Sequence, residues 1–201
     1  MSALREDVDR SVRRRTGGRS AAVRSAVLGA ALAALEEGST ALSLPDLAAR
    51  AGVAPSSLYR RWGSWEAVVV DALLASSEAA VPVPDTGTLR GDLLAYVGTV
   101  AGHLASPRGR ALARAAVSSG HHAGAHEVRR RFWTTRFELA RVMFDRARER
   151  GELPASGADD LLLLELLVAP LHFRALVTGD DARAALAERV DLVLAAAGAG
   201  R

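Results

Sequence analysis

Tyr59, Arg60 and Arg61 stand in a row within AGVAPSSLYRRWGSWEA, residues 51–67, in a chain whose aromatic content is only 4%. Guanidinium and phenol groups pair with phosphate oxygens, and an arginine fork also matches the acceptor edge of guanine. Ser56 and Ser57, just upstream, are small enough for close approach and carry hydroxyls that donate or accept. A second group of reactive side chains lies in GHHAGAHE, residues 120–127, where His122 and His126 are four apart and His121 and Glu127 lie beside them. A glycine-flanked histidine pair without a supporting shell does not make a zinc site, so no metal is assigned. The sequence has no Gly-x-Ser-x-Gly elbow, no phosphate-binding glycine loop and no cysteine. Ser118 and Ser119 are neighbours of His121 in sequence only, which is not a triad. Disulfides and thiolate metal centres are thereby excluded, and the chain reads as a non-enzyme without a cofactor.

The elements that must position these residues are helical. Of 201 residues, 49% are hydrophobic and mostly Leu, Val and Ala, and every basic residue is Arg; strand formers are scarce. From Arg19 to Glu37 an apolar stripe recurs at helical spacing through Val23, Val27, Ala30 and Ala34. Gly38 then offers a left-handed cap. Ser43 opens a second, short helix in which Asp46 completes a shortened capping box, and Gly52 ends it. Pro55 suits the first turn of a third helix, which is expected to run to about Trp62, with Leu58 and Trp62 facing the core. Gly63 stops it and Ser64 caps a fourth. Two helices joined by a tight turn and backed by a first form a helix-turn-helix unit. The third helix has too few residues to be stable alone and needs the other two behind it.

VPVPDTGT, residues 81–88, reads as an extended proline linker. Helices are expected beyond it near 88–105, 108–119, 125–150, 159–178 and 181–197, separated by Pro107, GHHAG, GELPASG and GDD. The domains expected are a flexible basic arm, 1–19; a helix-turn-helix domain, 20–65; and a helical domain, 66–201. Charge is distributed to match: residues 1–61 hold 10 Arg against 6 acids, and residues 62–201 hold 16 Arg against 17 acids. A basic front on a neutral body points to a polyanion partner for the front. No secretory leader is apparent. The run LLLLELLVAPL, broken by Glu165 and Pro170, reads as too short to span a bilayer, so a cytoplasmic protein without a membrane partner is expected.

ALSLPDLAARAGVAPSSLYRRWGSWEAVVVDALL resembles the DNA-binding signature of the TetR family of transcriptional regulators. Ser43 matches its capping residue, Ala51-Gly52-Val53 its turn, and Leu58-Tyr59, Arg61 and Trp62 its recognition helix. Two departures stand out. Ala54 replaces the usual serine cap, and Trp65 occupies the position of a phosphate-contacting lysine. The resemblance implies an all-α fold of about nine helices, with a three-helix DNA-binding domain and a C-terminal domain for ligand binding and dimerisation. Ser43, Pro55, Ser56, Ser57, Tyr59, Arg60, Arg61 and Trp65 form the expected DNA-binding set. Trp65 is expected to leave one contact neutral or lost, with the arginines of the arm compensating.

For the C-terminal part, the resemblance implies a small-molecule pocket. Scarce aromatics and polar groups give its expected lining: Tyr96, His103, Trp133, Phe137 and His172, with Phe132 near and ordinary core packing as the competing reading. Leu162, Leu166, Leu176, Leu186, Val190 and Leu194 on the last two helices are expected to pair two subunits as a four-helix interface. Together these imply a homodimeric repressor of a palindromic double-stranded DNA operator, released by an unidentified small-molecule inducer. A helical ligand-binding or enzymatic protein without DNA binding, and an activating or ligand-independent regulator, stay open as alternatives.

Overall fold

The computed structural model describes residues 2–39, 41–118 and 123–199, with side chains described from residue 18 onward except at 118 and 123. Ten α-helices and one short π-helix, with no strand, are present among the described residues. They fall into two compact units, Met1–Ala72 and Leu73–Arg201. The division falls inside the fourth helix, neither at residue 66 nor at the proline linker.

In the first unit, α1 (Ser2–Glu36) runs to the expected end at Gly38 but begins far earlier. The segment read as an arm, 1–19, is thus helical in backbone from Ser2. It contains no proline, and only the Gly17-Gly18 pair weakens its propensity. The buried side of α1 consists of Val27, Leu28, Ala31, Leu32, Ala34 and Leu35. α2 (Leu44–Ala51) is capped by Ser43, whose oxygen accepts from the Asp46 N–H at 3.2 Å. It ends at Gly52, whose φ of 65° lies in the left-handed region. Its N–H returns to Ala49 and that of Val53 to Ala48, so the chain reverses without stranding the last carbonyls. α3 (Pro55–Arg61) follows α2 after three residues, and α4 (Trp65–Ala80) follows α3 after another three. The Ser64 oxygen accepts from the Ala67 N–H at 3.2 Å.

The second unit is built around α5 (Leu89–Ala105), which packs on α6 (Pro107–Ser118), α8 (Val142–Glu149), α9 (Asp160–Phe173) and α10 (Leu186–Ala197). Its buried stripe of Leu89, Leu93, Tyr96, Val97, Val100 and Leu104 meets Met143, Phe144, Leu164, Leu167, Leu171 and Val190 in one core. The helix expected over 125–150 is two: α7 (Ala123–Ala140) and α8, separated at Arg141. There the Phe144 N–H bonds three residues back to Arg141 rather than four, a tightened turn invisible to periodicity. Arg148 grips Asp160 through two hydrogen bonds of 2.8 and 2.6 Å, tying the end of α8 to the start of α9.

Residues 81–88 are not a free spacer. Val81 is buried, Arg136 donates to its carbonyl and Arg146 to that of Pro84. Asp92, wholly buried, accepts from the Thr86 N–H and hydroxyl. Pro170 lies inside α9, and the helix continues into a π-helical turn, Arg174–Thr178. The resulting 19 continuous helical residues, Asp160–Thr178, are long and apolar enough by length and composition to cross a membrane, contrary to expectation. In this fold their inner side, including Leu163, Leu164, Leu167, Val168 and Leu171, belongs to the core.

Candidate DNA interface and ligand cavity

α3 is held from behind and open in front. Leu58 is fully buried, whereas Pro55, Ser56, Tyr59, Arg60 and Arg61 are exposed and Ser57 is half-buried. Tyr59 is 56% exposed on this short helix and is not a core residue. No side chain caps α3, because Ala54 has no oxygen to offer. Its first turn is closed by the Ser57 N–H bonding to the Ala54 carbonyl at 3.0 Å.

The far end of α3 is fixed by an ionic clamp. The indole N–H of Trp62 donates to Asp71 Oδ2 at 3.0 Å, and Arg24 from α1 grips the same carboxylate through both Nε and Nη2. Burial by itself pushes the Asp71 pKa up. Hydrogen bonds from Arg24 and Trp62, with the charges of Arg24 and Arg61, outweigh that effect and hold the carboxyl below its usual range. Arg61 lies over the Trp62 ring at 5.2 Å and reaches Ser20 at 3.5 Å, so it is turned back toward α1. Trp62 is therefore a half-buried clamp residue, not the apolar anchor that its spacing from Leu58 suggests.

Two expected contacts change character. Ser43 is exposed, and its hydroxyl donates to Asp46 Oδ2 at 2.6 Å while its oxygen caps α2. Trp65 is only 7% exposed and is one of the buried hydrophobic residues. Its ring cannot occupy the surface place of a lysine, and its membership of the DNA-facing set is corrected. A large apolar ring at the start of α4 gains more from burial than an exposed site offers.

Within the second unit, α4, α5, α6, α7 and α9 contribute to a cavity of ≈ 70 Å³ that opens to solvent. Tyr96, His103, Trp133 and His172 line it as expected. Phe137 does not; it stacks behind Trp133 with ring centroids 5.7 Å apart, and Phe132 takes the lining place instead. The His172 ring meets Trp133 edge-on at 4.9 Å and sits 3.2 Å from the Val168 carbonyl through Nδ1. Burial lowers the pKa of both His172 and His103, opposed at His172 by the Val168 carbonyl and aided at His103 by the charge of Arg108.

Sequence reasoning missed Arg136, which is 4% exposed in the cavity wall and donates through Nη2 to the Val81 carbonyl at 2.9 Å and the Tyr96 hydroxyl at 3.3 Å. A signal was present. Ala125, Val128, Phe132, Arg136 and Ala140 form the buried stripe of α7, and an arginine on such a stripe is anomalous. Ser76 and Ser77, also in the lining, carried no comparable mark.

The expected dimer residues divide. Leu162 and Leu166 are exposed. Val190 is fully buried, and Leu186 and Leu194 pack against the core of their own unit, which corrects their assignment to an outer face. Leu176 is half-buried. The outward side of α10 carries Leu192 instead, 71% exposed, and α9 and its π-turn add Phe173 and Val177. His121 and His122 lie outside the described residues; His126 is exposed.

Comparison with known proteins agrees with this arrangement. Residues 27–72 match the family described as bacterial regulatory proteins, tetR family, and residues 83–193 match the tetracyclin repressor-like C-terminal domain. The HTH-type transcriptional regulator AqdR of Rhodococcus erythropolis is 36% identical over 149 residues, which cover 74% of this chain and 72% of that protein. The uncharacterized HTH-type transcriptional regulator YdeS of Bacillus subtilis (strain 168) is 30% identical over 149 residues, covering 73% and 74%. The crystal structure of TetR family transcription regulator SCO0332 has a TM-score of 0.68 at 28% identity, over 87% of this chain and 97% of that one. With α3 exposed in one unit and a largely apolar cavity in the other, the chain belongs to the TetR family and is a DNA-binding helix-turn-helix transcriptional regulator.

Proposed function

We propose that the protein is a homodimeric, cytoplasmic repressor that leaves a palindromic operator when a small molecule occupies the C-terminal cavity. The observation carrying this reading is the largely apolar cavity with a few polar groups, in a chain that also presents Ser56, Tyr59 and Arg60 outward on α3. Pro55, Ser56, Ser57, Tyr59, Arg60 and Arg61 form the DNA-facing set, with Ser43 beside them at the head of α2. The first unit reads DNA, and the second binds ligand and pairs the subunits through Leu162, Leu166, Phe173, Val177 and Leu192. That exposed apolar set suits a second copy of the same helices rather than lipid, because charged Glu165, Glu188 and Asp191 lie exposed among them.

α4 supplies Asp71 to the clamp on α3 and Ser76 and Ser77 to the cavity. A ligand acts through it only to the extent that it binds one conformation of the dimer better than the other. Selection of bound duplexes from a random pool tests the DNA reading: a palindrome is expected, and absence of any sequence preference at moderate salt overturns it. Adding candidate ligands to the selected complex tests release. Leu166→Glu with Leu192→Glu is expected to shift the protein to monomer in sedimentation; an unchanged dimer puts the interface elsewhere.

A further inference from the structure

We infer that the cavity takes a small apolar acid, with Arg136 receiving its carboxylate or comparably acidic oxygen. This rests on the reading of the cavity as the ligand site and goes further by naming the chemical class that fits it. Arg136 is buried in the wall, yet only Nη2 donates hydrogen bonds; Nε and Nη1 have no acceptor among the described residues. Neither does any carboxylate pair with it there, and none lines the cavity. A guanidinium keeps its charge at every physiological pH, so a buried one demands compensation that the neutral carbonyl and hydroxyl supply only in part. Both bidentate edges of the fork run through the occupied Nη2, so the remaining donors, Nε–H on one side and Nη1–H on the other, each offer a single charge-assisted hydrogen bond to a carboxylate oxygen.

The rest of the lining favours an acid with an apolar body. Trp133 and Phe132 offer flat walls in contact with each other at 5.1 Å. His103 and His172 are disfavoured as cations by burial; as neutral imidazoles, His172 spends its single N–H on the Val168 carbonyl, whereas His103 keeps one N–H to donate. The simplest competing role for Arg136 is structural, as a cap on the Val81 carbonyl. That role uses Nη2 alone and does not account for a full guanidinium facing an apolar cavity. Because Val81 directly follows α4, an acid that draws on the same guanidinium also acts on the carbonyl at that helix end.

Calorimetry on the full-length protein with three matched pairs tests the inference: benzoate and benzamide, 1-naphthoate and 1-naphthamide, octanoate and octanamide. At least one acid is expected to bind about tenfold or more tighter than its amide, since charge-assisted bonds are roughly twice as strong as neutral ones. Arg136→Gln is expected to bring that ratio to about one, and Arg136→Lys to keep part of it. Ala113→Phe fills the cavity from α6 without altering the bonds of Arg136 and is expected to abolish acid binding, which keeps the test intact where Arg136→Gln does not fold. Amides binding as well as acids, no binding in all three pairs, or acid binding that survives Ala113→Phe overturns the inference. Release of operator DNA is read separately. Amides that release DNA uphold the ligand-responsive reading while removing the acid, and acids that bind with the expected preference but leave DNA bound do the reverse.

Discussion

The two units use arginine in opposite ways. In the first, Arg60 and Arg61 lie exposed on α3, whose length of seven residues gives it little stability of its own. In the second, Arg136 is sealed into a wall of Tyr96, Phe132 and Trp133 and holds a backbone carbonyl. Solvent and salt screen the exposed charges, so they act on a partner mainly through steering and phosphate neutralisation. The buried charge is screened far less, and its chemistry is set by what it can reach within a few ångströms. Exposure therefore suits a polyanion of varying sequence, whereas burial suits a small ligand of fixed shape.

The contrast is most sharply tested at Trp65. Trp65→Lys restores the charge that the TetR signature carries, but in this fold it removes a buried ring and puts an ammonium in its place. Loss of roughly 3 kcal/mol or more of stability is expected, seen as a depressed thermal midpoint and weaker DNA binding. An unchanged midpoint with tighter binding puts the ring at the surface instead.

Asp71→Asn comes next, since it strips the ionic partner from Arg24 and weakens the acceptor for Trp62. A cost of about 1–2 kcal/mol is expected after allowance for the partial exposure of the pair, with DNA affinity falling more than ligand affinity. The wild-type clamp also has a pH signature. A carboxyl whose folded pKa is depressed contributes stability at neutral pH and loses it as pH falls from the usual carboxylate range through the lower folded value. Asp71→Asn is expected to flatten that acid limb of a melting-versus-pH curve; an unaltered limb assigns it to other groups.

Arg60→Ala is expected to leave the melting curve unchanged and to weaken operator binding about tenfold, with a salt slope smaller by about one if Arg60 meets a phosphate. Equal loss of thermal stability breaks the distinction between a scaffold side and a reading side of α3. The smallest effect is expected at His172, whose folded pKa burial holds below the ordinary value. Its neutral form is stabilising at pH 7, and that contribution is lost as pH falls from the ordinary histidine range through the lower folded value. One proton taken up on unfolding limits the slope to about 1.4 kcal/mol for each step of one in pH. His172→Phe is expected to remove this slope and the accompanying change in Trp133 fluorescence. Persistence of both traces them to another histidine.

Much of the first unit was legible in the residues. Ser43, Gly52, Pro55 and Ser64 punctuate the chain with local chemistry, and α2, α3 and α4 begin and end where those residues place them. The second unit was legible as helices but not as faces. The stripe Leu186, Val190, Leu194 shows which α10 residues lie together, yet periodicity does not distinguish a stripe buried in its own subunit from one offered to another. Packing on α5 and α9 decided it, turning Val190 inward and Leu192 outward. The tight turn at Arg141 was likewise hidden, because Ala140 and Arg141 are both good helix formers.

The sequence by itself determined the helical class, the helix-turn-helix punctuation and the family, because caps, turns and apolar periods depend on residues within a few positions of one another. Only the tertiary structure decided that Trp65 is core, that Trp62 and Arg24 share Asp71, and that Arg136 enters a cavity wall. Each of these depends on side chains brought together from distant helices, where burial and available partners, rather than residue type, set what a charge or an aromatic ring does.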